Sequence, residues 1–217
     1  MTPHDLTARL RQGEWGRWSG LVGAGWPAVV RVLHPARRRS AAGTEHVPWS
    51  ELPGAADRDL SRAAWHDVSG VRLHAGRTSA GWTDEPLVGT DGEVAAVLLP
   101  LLAAREPTVW IGQWQGWGSD LGLRDDLAPR QVVPALGRAY DVVSVPVGRV
   151  LAAVGPVDGG HERMPDLVWS TTGRWLQVCD VDLPCTLVGC DAATASTLLA
   201  STELEAVLVD PQDQVVT

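Results

Sequence analysis

The sequence predicts an α+β fold: a single domain with a mostly antiparallel sheet and a few packed helices. Three observations carry this. Strand-like segments follow one another in the second half of the chain with only a few short helices among them, which favours antiparallel neighbours over crossover units. Few segments carry a helical period. No repeat or low-complexity linker divides the 217 residues, a length that suits one large domain with its own core. The domain is expected to span 1–217, with residues 1–27 as a loop-rich N-terminal segment packed on it.

Each element has a local reason. Residues 1–12 place Leu6 and Leu10 at i, i+4, the spacing of one helical face. Residues 13–27 (GEWGRWSGLVGAGWP) are rich in Gly and Trp and read as a loop that turns its indoles inward. AVVRVL, 28–33, is β-branched and reads as a strand, ended by His34-Pro35 because proline lacks the ladder donor. Residues 36–47 read as polar loop, and 57–66 as a helix with Leu60 and Ala64 on one stripe. Residues 67–89 read as irregular. Thr90 and Glu93 have capping-box spacing before an apolar helix to about 105, with Pro100 late in it.

The segment 108–116 reads as a strand, 131–136 as a short helix and 139–147 as a strand. Residues 155–165 read as a loop. PDLVWS and RWLQVCDVD pair as a hairpin across Thr171-Thr172-Gly173, Asp191 caps a helix, and LEAVLV, 204–209, closes as a strand.

Composition narrows the function classes. The chain has no Lys, Asn or Phe, one Ile111 and one Tyr140, and its 18 basic residues are all Arg. That bias matches a genome of very high GC content, and it leaves Trp to supply the large flat bodies of the core. The net charge of −8 repels phosphate at long range, so nucleic acid is not an expected partner. The start MTPHDLTARL has no secretory pattern, and no apolar run approaches a membrane span. With Cys179, Cys185 and Cys190 in no Cys-x-x-Cys spacing, the expectation is a cytoplasmic protein with reduced thiols and no metal or cofactor.

WIGQWQGWG, 110–118, sets Trp110 and Trp114 on one strand face around Gly112, and the expected reading is core packing. Trp117 lies in a turn and is the one of the three indoles expected in a pocket. Asp180 and Asp182, at i, i+2 on a predicted strand, point to one face; they are solvated or Arg-paired, or they serve metal or acid–base chemistry with His161, Glu162 or Asp166 nearby. Each cysteine reads as buried and structural, the reactive alternative requiring a base such as His66, His74 or His161. His34 reads as a satisfied strand-end histidine or a general base. The glycines of 20–25 lack the preceding strand and the Lys-Ser/Thr of a phosphate loop.

RVLHPA (31–36), VPWSEL (47–52), WQGWG (114–118), the Tyr140 strand, PDLVWSTTGRWLQVCDVDLPCTLVG (165–189) and LEAVLV together resemble a group of actinobacterial proteins with no known activity. The resemblance runs along most of the chain in order. In that group the late segment looks like a Trp-Pro turn, an Asp-x-Asp strand, then Thr and two Gly; Ser170 and Cys190 stand here in place of the Pro and the second Gly. The resemblance implies an origin and a shared fold, and no activity.

The function expected is that of a cytoplasmic protein-binding domain, immunity- or antitoxin-like, whose acidic field steers it to a basic enzyme. The alternative is a small-ligand binder or an enzyme with its pocket between Trp117 and Asp180/Asp182. In that case Trp117 and Arg174 contact the ligand, and Asp180, Asp182 and His34 are the catalytic candidates.

Overall fold

A computed structural model describes residues 1–40, 43–69, 91–117, 122–127, 130–154 and 164–216. Helix α1 (Pro3–Leu10) starts under a capping box, in which Thr2 Oγ1 accepts the Asp5 N–H and the Asp5 carboxylate accepts the Thr2 N–H. Helix α2 (Trp18–Val22) and strand β1 (Ala28–Leu33) follow. A small ribbon is made of β2 (Ala36–Ser40) and β3 (Gly43–Val47), then come α3 (Trp65–Ser69), α4 (Gly92–Ala103) and β4 (Thr108–Trp114). Strands β5 (Gln131–Ala135), β6 (Arg138–Pro146), β7 (Leu167–Ser170), β8 (Trp175–Cys179) and β9 (Cys185–Cys190) precede α5 (Ala192–Leu199) and β10 (Glu205–Val209).

Eight strands form one sheet in the order β10-β1-β9-β8-β7-β4-β6-β5, every neighbouring pair antiparallel. The period of two along each strand divides the core into two layers. Val29 and Leu33 of β1 join Leu6, Trp18, Trp49, Trp65 and Trp169 on one face, beneath α1, α2 and α3. Val30 and Val32 join Leu98, Ile111, Val168 and Leu198 on the other, beneath α4 and α5. Both faces of the central strands are therefore covered, and β7, β8 and β9 are buried along their whole length.

Trp110 and Trp114 pack against the first layer. Trp110 stacks on its cross-strand partner Trp169, ring centroids 6.1 Å apart. Leu167 fills the slot over Gly112: a Cβ there would lie 3.3 Å from its own Cβ.

Four local expectations are corrected. Residues 36–47 are a hairpin rather than a loop; the arginine run hides an alternation in which Ala36 and Val47 face inward as partners and Arg38 lies opposite Glu45. Residues 57–64 are turns, and the helix begins at Trp65. The fully buried Arg31 donates to the carbonyls of Leu60 (3.1 Å) and Ala63 (2.8 Å), acceptors that a helix would have used itself. Residues 131–135 are an edge strand; Val132 and Val133 favour β, and Pro134, which would break a helix, is tolerated at a sheet edge. Asp91 caps α4, accepting the N–H groups of Glu93 and Val94, and the helix runs on through Pro100. Thr90, most of the irregular stretch 67–89, and the loop 155–163 with His161 and Glu162 lie outside the described residues, as does His74.

Candidate functional site

Trp15 departs from its own segment. The loop after α1 is tied to the chain's far end: Trp18 N–H donates to the Asp213 carbonyl (3.2 Å), Ser19 N–H to Pro211 (2.9 Å) and Val215 N–H to Gly16 (2.9 Å). The loop is tight enough that a Cβ on Gly20 would fall 2.4 Å from the Glu14 carbonyl oxygen. With the backbone held this way, Trp18 and Trp26 turn into the core while Trp15 projects outward and stays 82% exposed. The expectation that residues 13–27 fold all their indoles down fails at this residue.

Two grooves meet at Trp15. The larger, about 530 Å³, is lined by Trp15, Arg11, Pro134, Leu136 and Arg138 among others. The smaller, about 210 Å³, lies between Trp15, Leu21, Leu183, Val215 and the Arg138–Asp180–Asp182 cluster. Leu136 and Gly137 form the two-residue turn between β5 and β6, with φ of 52° and 72°. Asn-Gly is the favoured pair for such a turn; this chain has no Asn, and Leu136 takes the left-handed position while packing against the core.

Arg138 organises the floor. Its guanidinium lies 4.7 Å from the Trp114 ring centroid, 3.4 Å from the Asp180 carboxylate and 4.0 Å from that of Asp182. Asp180 and Asp182 stand in the turn after β8 rather than on the strand, because the strand ends at Cys179 and the Asp180 carboxylate accepts the Asp182 N–H at 3.0 Å. Asp180 is 13% exposed and Asp182 78%. Tyr140 is buried beside this cluster, and desolvation together with Asp166 pushes its phenol above the ordinary range.

Trp117 is anchored. It ends a 3-10 turn, Gln115–Trp117, and its indole N–H donates to the buried carboxylate of Asp166 at 2.9 Å. Its ring packs edge-on to Trp114 at 5.9 Å, and Trp114 in turn carries Arg138 over its own ring.

The remaining candidates lie elsewhere. His34 is fully buried on the α4/α5 face of the sheet, its Nε2 2.9 Å from Thr186 Oγ1, which is in turn 3.2 Å from Cys179 Sγ. Burial pushes the thiols of Cys179 and Cys190 up to about 12, the latter also beside Asp191, and raises Cys185. Arg174 pairs with Asp191 at 3.0 Å, at the opposite end of β8 from Asp180. Among the described residues, no group of three or more His, Cys, Asp or Glu is placed to hold a metal ion. No helix there is long and apolar enough to cross a membrane.

Sequence reasoning missed Trp15 and Arg138. The only signal for Trp15 was its place between Gly13 and Gly16 in a loop. Compared with protein-family models, curated proteins and solved structures, the chain matches none.

Proposed function

We propose that this chain is a protein-recognition domain whose contact surface centres on Trp15. The observation that carries the reading is the exposure of that indole. Every other described tryptophan is buried or half-buried, in a chain that depends on indoles for its core. Exposed large aromatics at the meeting of two grooves serve as anchors in interfaces, where Trp and Arg dominate the binding energy. Val132 of edge strand β5 is also exposed. The net charge of −8 favours a basic partner, and an immunity- or antitoxin-like role in the cytoplasm belongs to this reading.

A second reading has one observation in its favour: Asp180, Asp182 and Arg138 converge on a groove large enough for a small ligand. Among the described residues, none lining either Trp15 groove is a histidine, and His34 lies on the other face of the sheet.

The test is paired affinity capture. Wild-type protein and Trp15→Ala are immobilised and exposed to lysate of the source organism. A stoichiometric protein held by the wild type and lost from Trp15→Ala supports the reading; identical sets of captured proteins on both columns overturn it.

A further inference from the structure

Resting on that reading, the chemistry of the smaller groove specifies what it takes. We propose that the groove between Trp15 and the Asp180–Asp182 turn receives an arginine or lysine side chain of a basic partner protein. Its apolar wall of Leu21, Leu183 and Val215 suits an aliphatic stem. The open indole of Trp15 offers a ring face to a cationic head. The charges select the same sign. Asp180 is engaged by Arg138 and by the Asp182 N–H, whereas the Asp182 carboxylate is mostly in solvent and only 4.0 Å from the shared guanidinium.

Arg17 lines the groove together with Arg138 and is paired with Glu14 at 2.9 Å, so the three acids Glu14, Asp180 and Asp182 outnumber the two guanidinium groups by one. An entering anion meets Asp182; an entering cation gains it as a partner. A volume of about 210 Å³ admits one long side chain rather than a folded segment.

The experiment is an NMR titration of the intact ¹⁵N-labelled protein, following the Trp15 indole N–H signal, which is identified by its loss in Trp15→Ala. The probes are a blocked tetra-arginine peptide, the same peptide with citrulline for arginine, and a blocked tetraglutamate peptide. The arginine peptide moves the signal saturably and the other two leave it in place. Asp182→Asn weakens the arginine peptide by roughly two- to fivefold, the size of one exposed ion pair. Glu203→Gln, a charge lining a different groove, leaves binding unchanged.

No saturable movement, an equal response to citrulline, a preference for glutamate, or indifference to Asp182→Asn each overturns the proposal. If one of these is seen while Trp15→Ala still strips a partner from the column, the groove's chemistry is wrong and the recognition surface stands. If the partner also survives Trp15→Ala, both fall.

Discussion

Trp117 donates its indole N–H to Asp166 at 2.9 Å, and that carboxylate, 2% exposed, also accepts the backbone N–H of Trp114 at 2.9 Å. One buried acid thus fixes the turn that follows β4 and, through it, the indole on which Arg138 rests. Asp166→Ala orphans both donors and is expected to lower stability by about 3 kcal/mol. Asp166→Asn keeps one acceptor oxygen and loses less. Urea denaturation of the two variants measures the difference; equal stability of Asp166→Ala and wild type contradicts this account of the turn.

Arg31 gives a second prediction. Its guanidinium sits 5.3 Å from the ring centroids of both Trp18 and Trp49 and holds the carbonyls of Leu60 and Ala63. Arg31→Ala opens a cavity and leaves those carbonyls without their donor, a loss of at least ~3 kcal/mol. Arg31→Met also removes the charge and the donor but fills most of the space, so it is expected to melt well above Arg31→Ala because it leaves the smaller cavity. Thermal melts of the pair decide; identical melting temperatures mean that packing around Arg31 contributes nothing.

The thiols give a third. All three cysteines are free and buried. A thiol-specific disulfide reagent at pH 8 should leave the native protein unlabelled and modify all three after unfolding. The pH dependence has a definite sign. In the unfolded chain thiols ionise from about 8.5, while in the fold Cys179 and Cys190 hold their protons to about 12. Between those values the unfolded state binds fewer protons, so these groups make stability fall as pH rises, and their contribution is flat below that window. Replacing Cys179 and Cys190 with Ala should flatten the alkaline limb of a stability–pH curve. A limb unchanged by the replacement excludes the thiols as its origin.

The parts of the fold legible in the sequence are those in which local and tertiary preferences agree. Val29, Val30 and Val32 favour the strand that β1 forms, Asp191 caps α5 through the Thr194 N–H as its position implies, and the Thr171–Gly173 turn joins β7 to β8. Misreadings arose where a distant partner decided. The helical stripe at Leu60 gives way because Arg31, 29 residues earlier, takes its carbonyl. The Val132–Pro134 stretch becomes strand because β6 offers it an edge.

The site shows the same division. The pairing of Asp180 and Asp182 with an arginine was one open alternative, but Arg138 comes from 42 residues away, by way of the β5–β6 hairpin, and no spacing announces it. Beyond its place between Gly13 and Gly16, nothing in the sequence separates Trp15 from the ten other tryptophans. Its exposure follows from hydrogen bonds between residues 16–19 and 211–215, a contact between the chain's two ends.

The central claim is that Trp15 is held out of the core for recognition, and its most direct test is the folding stability of Trp15→Ala. Urea denaturation should place the variant within about 0.5 kcal/mol of the wild type, as for a surface side chain with no structural partner. A loss of about 2 kcal/mol or more contradicts the claim, because it makes Trp15 one more indole that the fold needs.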